Sequence, residues 1–195
     1  MLLIVAGPNG SGKSSAYELA DIELLGRSLW IINPDLLAAR IRKVEPDKAD
    51  TANVEAVERI YSWLEASISV HKTVGVETVL STGKYRELVA EAKKFGFQVW
   101  LYYVCLDDPE RNVERVRIRV RKGGHAVPED KIRSRFWRSL EQLPWFLDQA
   151  DRAWLHDNSG AQPVRVGEKI DDVVYLDPDA PKVLQDALRS MMSDP

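Results

Sequence analysis

Residues Gly7-Pro8-Asn9-Gly10-Ser11-Gly12-Lys13-Ser14 fit the spacing G-x-x-x-x-G-K-[ST] without deviation. Glycines at these positions let main-chain N–H groups turn inward around an anion, because side chains there block its approach. A helix opening near Lys13 adds the positive end of its dipole. Lys13 then reaches the β/γ oxygens of a triphosphate and the Ser14 hydroxyl ligates Mg²⁺. The stretch from Gly7 through Ser15 is therefore the expected ATP·Mg²⁺ site. A chance glycine turn before a helix is the alternative, and the apolar run directly in front of the motif argues against it.

Phosphoryl transfer also needs a group that orients or deprotonates the acceptor. Asp35 ends Asn33-Pro34-Asp35, where Pro34 keeps Asn33 extended and can itself open a helix. A carboxylate between a strand end and a helix start lies on the edge where open α/β sheets bind ligands. Asp35 is the expected base; the competing reading is an acid that merely favours a helix dipole. Glu77, Thr78 and Ser81 close a further strand and are expected to hydrogen-bond a polyhydroxylated substrate, or else form a solvated strand end. No clean strand-ending aspartate for a metal stands out. The run Phe97 to Leu106 ends in Asp107-Asp108, which read as helix caps. Magnesium is thus expected to rest on Ser14, phosphates and water.

Between Arg111 and Arg138 the chain concentrates positive charge, with Arg111, Arg115 and Arg119 at four-residue spacing on one helix face. A helical lid over about 109–140, broken at Gly123-Gly124, would close on a triphosphate and supply guanidinium groups as charge develops. A solvated basic helix is one alternative. An RNA- or DNA-binding surface using Phe136, Trp137 and Trp145 is another, although Trp137, Leu140 and Phe146 read as core. Asn158, in Asp157-Asn158-Ser159, is a candidate adenine contact or an ordinary polar turn. His71, His125 and His156 lack metal-ligand spacing; His125 is either a phosphate contact in the lid turn or a loop histidine. Cys105 reads as inert core.

The elements that must position these groups follow from periodicity. Leu2–Ala6 is a continuous apolar run, as in a strand buried on both faces. Helix is expected over about 13–25, then a short strand over 29–32. A long helix over 51–72 should bury Val54, Val57, Ile60, Tyr61, Leu64 and Ile68. A strand at 73–78, a helix at 85–95 and the strand 97–106 follow. Helices at 109–122 and 128–150 come next, the second kinked or divided by Pro144. A strand at 153–156, a hairpin or edge strands within 163–176 and a helix at 181–192 complete the chain. Alternation of strand and helix predicts an α/β three-layer sandwich of the P-loop NTPase kind, with about five mainly parallel strands and a helical lid. All of it fits a single domain, 1–195.

Composition narrows the classes. The net charge of -3 argues against general nucleic-acid binding. No apolar run approaches the ~20 residues of a membrane span. The opening Met-Leu-Leu-Ile-Val-Ala lacks a basic flank and reads as a strand, not a signal peptide. With Cys105 as the sole cysteine, the expected compartment is the reducing cytoplasm.

Taken together, these segments resemble the zeta toxin family of P-loop kinases. The likeness is carried by the P-loop, Asn33-Pro34-Asp35, Glu77-Thr78-Val79-Leu80-Ser81, Arg115-Val116 through Gly123-Gly124-His125, Val127-Pro128, Arg135 and Asp157-Asn158-Ser159. The resemblance implies an ATP-dependent kinase whose characterised toxin members phosphorylate UDP-N-acetylglucosamine, and an antitoxin protein as partner. It implies that Lys13 binds phosphate, Asp35 is the base, Glu77 and Thr78 contact substrate, and Arg119 and Arg135 are lid arginines. Val79 stands where a second threonine is common, and Lys84 where an arginine fits some members. Two rivals stay open: a kinase for another metabolite or a nucleic-acid end, and a nucleotide-dependent binding module.

Overall fold

A computed structural model describes residues 1–15 and 31–191. In chain order the elements are β1 (Leu2–Ala6), β2 (Ile31–Ile32), α1 (Pro34–Val44), a 3-10 turn (Pro46–Lys48), α2 (Ala52–Ser69), β3 (Val74–Thr78) and α3 (Arg86–Lys94). They continue with β4 (Val99–Cys105), α4 (Pro109–Arg121), α5 (Glu129–Gln149), β5 (Arg152–Asp157), β6 (Val164–Ile170), β7 (Val173–Leu176) and α6 (Lys182–Leu188). Lys13, Ser14 and Ser15 are helical. The rest of the helix expected over 13–25, and the first half of the strand expected over 29–32, lie outside the described residues.

The strands form one seven-stranded sheet in the order β2-β3-β1-β4-β5-β6-β7. From β2 to β5 all pairings are parallel, while β6 and β7 add an antiparallel hairpin. The sheet is therefore wider than the five strands expected from the sequence, and the parallel part is the expected five. Both faces of β1 are buried, Leu2 and Ile4 toward one layer and Leu3 and Val5 toward the other. This is why its sequence is apolar without alternation. On the first face Ile60, Leu64 and Ile68 of α2, Leu88 and Val89 of α3, Phe136, Leu143 and Phe146 of α5, and Leu184 of α6 share one core with the strands.

Three details depart from the sequence reading. The buried stripe of α2 runs through Ala52, Ala56, Ile60, Leu64 and Ile68, leaving Val54 61% exposed. The small alanines let α2 pack closely on Ala38 and Ile41 of α1, which a count of large apolar residues overlooks. Trp137 is 49% exposed, not core, because Phe136 and Leu140 already fill the inner face of α5. And α5 runs through Pro144 undivided. Proline removes one hydrogen bond, and the burial of Leu143, Phe146 and Leu147 on either side of it holds the helix together.

Candidate active site

Parallel pairing brings the ends of β1 to β5 to one edge of the sheet. The register sets Val5 beside Glu77 and Ala6 beside Thr78, so the end of β3 flanks the entry to the P-loop. In the P-loop, Gly7, Gly10 and Gly12 have φ of 141°, 78° and 86°. Asn9, Ser11 and Lys13 are buried, while Ser14 and Ser15 are exposed. The Lys13 ammonium donates to Gly7 O at 2.8 Å and Pro8 O at 3.1 Å, and lies 3.9 Å from Glu77. Burial pushes the Lys13 ammonium down from the usual lysine range; Glu77 and then Asp35 oppose the shift, and Arg119 adds to it. These partners place Asp35, Glu77 and Arg119 in the electrostatic field around one amine.

Glu77 itself is 9% exposed and accepts the Ser14 hydroxyl at 3.0 Å. Expected from the sequence as a substrate contact, it stands here beside the expected magnesium ligand. Ser14 Oγ and the Glu77 carboxylate are hard oxygens suited to Mg²⁺, held directly or through water. Among the described residues no group of three or more His, Cys, Asp or Glu side chains could hold a metal. Neighbouring Thr78 is buried, and its Oγ1 accepts the Leu80 N–H at 3.1 Å. Ser81 is half-buried just beyond.

Asp35 is exposed in the first turn of α1. The Asn33 side chain caps that turn, accepting from Asp35 N at 2.8 Å and Leu36 N at 3.3 Å. The cap satisfies the helix end, so the Asp35 carboxylate stays available; among the described residues it makes no hydrogen bond or ion pair. Lys84 faces it electrostatically: local burial pushes the Lys84 ammonium down, Asp35 opposes this, and Arg135 adds to it. Although the side chain as a whole is exposed, Nζ sits 4.7 Å from the Tyr85 ring centroid. The charge of Lys84 is thus felt together with those of Asp35 and Arg135, whereas in the sequence it stands out only as a departure from a family pattern.

The basic hairpin divides its charges between bracing and the site. Arg133 pairs with Glu110 and Glu129, Arg117 with Glu129, and Arg121 with Glu114, mostly at the surface. Arg111 pairs with Asp107 at 2.8 Å. Asp108 caps α4, accepting from Glu110 N at 2.8 Å, as the sequence led us to expect. Arg135 and Arg115 turn toward the P-loop and its Asn158 support, while Arg119 holds the hairpin's own turn and its charge is felt at Lys13. Arg135 Nη1 donates to Asn9 Oδ1 at 3.4 Å, Arg115 Nη2 to Asn158 O at 2.6 Å, and Arg119 Nη2 to His125 O at 2.9 Å. His125 is exposed, and only its carbonyl enters this bond.

Asn158 is 8% exposed, and its Nδ2 donates to Ser11 O at 2.8 Å. Asn112, fully buried in α4, donates to Asn9 O at 2.7 Å. The sequence reading missed Asn112, because a single polar residue in a basic helix carries no signal until its neighbour is known.

A glycine-rich loop between a buried parallel strand and a helix, an acid at the adjoining strand end and arginines from a neighbouring helical hairpin define the P-loop kinase class. The Zeta toxin family model matches residues 1–160, and the chain belongs to that family. An uncharacterized protein of Haemophilus influenzae (strain ATCC 51907 / DSM 11121 / KW20 / Rd) is 28% identical over 136 residues, covering 69% of this chain and 91% of its own. Among solved structures, the crystal structure of AvrRxo1-ORF1:-ORF2 with ATP superposes with a TM-score of 0.73 at 15% identity, covering 99% of this chain and 63% of that one. The chain thus spans less than two thirds of that structure's length. The PezAT chromosomal toxin-antitoxin system of Streptococcus pneumoniae gives a TM-score of 0.64 at 16% identity, covering 96% of this chain and 77% of that one. Likeness at these identities speaks for the fold.

Proposed function

We propose that the protein transfers the γ-phosphoryl group of ATP·Mg²⁺ to a hydroxyl of a small molecule, a UDP-amino sugar such as UDP-N-acetylglucosamine being the acceptor that family membership favours. The observation that carries this reading is Glu77 at the sheet edge, 3.0 Å from Ser14 and 3.9 Å from Lys13, with Arg135 bonded to Asn9 of the same loop and the Asp35 charge felt at Lys13. Asp35 takes the proton of the acceptor hydroxyl as its oxygen attacks the γ-phosphorus. The bond from that phosphorus to the β–γ bridging oxygen breaks, and ADP leaves with the electron pair. Lys13, released from the Gly7 and Pro8 carbonyls, follows the β/γ oxygens, while Arg119 and Arg135 balance equatorial charge. Mg²⁺, when bound, neutralises charge across the β- and γ-phosphates. Ser14 and Glu77 are the residues that would hold it.

The PezAT neighbour is a toxin-antitoxin system by its description, which supports a protein partner of antitoxin type for this chain. A single free, buried Cys105 suits the cytoplasm as its compartment. Among the described residues no helix is long and apolar enough to cross a membrane.

Two measurements test the reading. Calorimetry with Mg²⁺ should show ATP uptake by the folded protein. Incubation with γ-labelled ATP and a panel of acceptors including UDP-N-acetylglucosamine should then label an acceptor. ATP uptake with no label in any sugar nucleotide, sugar, nucleoside or nucleic-acid end would leave a nucleotide-dependent binding module, and absence of uptake would remove the nucleotide site altogether.

A further inference from the structure

The loop that receives the phosphates is held from outside by two carboxamides. We infer that Asn112 and Asn158 are positioning residues of the nucleotide site, fixing the two peptide planes whose N–H groups, on Gly10 and Gly12, face the phosphates. The inference rests on the nucleotide reading above and names residues that the reading does not require.

A trans peptide is planar, with its C=O and N–H on opposite sides. Asn112 Nδ2 draws the Asn9 carbonyl toward α4 at 2.7 Å, which turns the Gly10 N–H away from α4 and into the loop. Asn158 Nδ2 draws the Ser11 carbonyl outward at 2.8 Å, which turns the Gly12 N–H inward in the same way. The peptide between them is fixed locally, since Ser11 N–H donates to Pro8 O at 3.3 Å.

Such clamps matter because both following residues are glycines at positive φ, 78° at Gly10 and 86° at Gly12. Glycine explores conformations on either side of φ = 0 at little cost, so an unsupported loop can rotate these planes and lose its inward donors. Contact is close enough to exclude side chains. A Cβ on Gly12 would lie 2.3 Å from Asn158 Nδ2, and one on Gly10 2.7 Å from the Asn112 carbonyl.

The clamps are themselves anchored. Asn112 is fully buried in α4. The Asn158 N–H donates to Cys105 O at 3.0 Å, and its carbonyl accepts from Arg115 at 2.6 Å. The first two turns of α4 and the end of β5 therefore grip the P-loop together. Any closing movement of the hairpin belongs to its distal part, beyond Arg115.

The test compares Mg²⁺-dependent binding of ATP and of inorganic tripolyphosphate by calorimetry for the wild type, Asn112→Ala, Asn158→Ala and Asn158→Asp. Loss of one clamp should weaken both ligands by the same factor, about tenfold, as for one buried hydrogen bond. Asn158→Asp adds a specific signature. Its deficit relative to wild type at the same pH should shrink as the pH falls toward the carboxyl range near ~4, because the protonated acid again donates to Ser11 O. Asn158→Ala should show no such recovery. Unchanged binding of both ligands in the Asn158 variants overturns the inference. So does weakened ATP binding with unaltered tripolyphosphate, which would mean that the side chain reads the base. If Asn112→Ala fails to fold, the two Asn158 variants decide. If the wild type binds neither ligand, the nucleotide reading falls first.

Discussion

The Ser14 hydroxyl donates to the Glu77 carboxylate across 3.0 Å, joining the first turn after the P-loop to the end of β3. The bond exists because β3 lies directly beside β1, in a register that sets Glu77 next to Val5. On the proposed reading, an acid and a hydroxyl so placed would act on one cation as a unit. Glu77→Gln should raise the Mg²⁺ concentration for half-maximal activity and lower the rate by about 10²-fold. Combined with Ser14→Ala, the effects should fall short of additivity by about 1 kcal/mol or more. A magnesium titration of the four proteins checks this, and strictly additive losses would separate the two residues.

Among the described residues the Asp35 carboxylate makes no hydrogen bond or ion pair, and its helix is already capped by Asn33. Asp35→Asn keeps shape and removes the proton acceptor. Transfer should fall by about 10²–10⁴-fold. ATP affinity should stay within about threefold of wild type, since the P-loop amides and Lys13 that hold the phosphates are kept. Turnover near wild type would take the base role from Asp35.

Lys169 is a buried cation outside the site. Its Nζ donates to Leu147 O at 3.0 Å and Asp148 O at 2.9 Å, closing the C-terminal end of α5 from strand β6. Lys169→Met removes the ammonium from both carbonyls, leaving Leu147 O with only the Ala150 N–H at 3.3 Å, and should cost about 1–3 kcal/mol. In a domain of this size the melting temperature then drops about 2–4 °C per kcal/mol. ATP binding should be unaffected, and an unaltered melt would show that water replaces the ammonium without loss.

His156 gives a stability change with a definite sign. Burial, with Arg165 adding to it, lowers its pKa to about 4 from 6.5. The ring stacks on Tyr102 at 4.5 Å, and among the described residues its Nδ1 has no hydrogen-bond partner. Between these values the unfolded chain binds a proton that the folded chain does not. The contribution is therefore present above about pH 6.5 and lost as the pH falls toward 4. Partial exposure reduces it to about 1–2 kcal/mol. Melting curves from pH 7 to 4 should show a steeper decline for wild type than for His156→Gln, and parallel declines would contradict the assignment.

Local rules made most of the elements legible in the chain. Pro34 and Pro109 each open a helix behind a capping Asn33 or Asp108, and Gly96, at φ 73°, follows the end of α3. The P-loop was readable because its glycines, Lys13 and Ser14 act within eight consecutive residues. Asp35 was readable because strand end and helix start adjoin in sequence. Trp137 and Val54 were misread, since apolar character and helical spacing do not say which face of a helix finds a partner.

What the linear order could not supply is adjacency. Glu77 lies 63 residues from Ser14, Asn112 lies 103 from Asn9, and Asn158 lies 147 from Ser11. Each meets the P-loop only after the sheet has ordered its strands as β3-β1-β4-β5. The sequence by itself determined that a phosphate-binding loop forms, because that depends on backbone freedom and a helix end within one short stretch. The tertiary structure alone decided which carboxylate joins Ser14, which carboxamides hold the loop and which arginines turn toward it. Those pairings follow from strand order and from burial, which compels each polar group carried inside to find a partner.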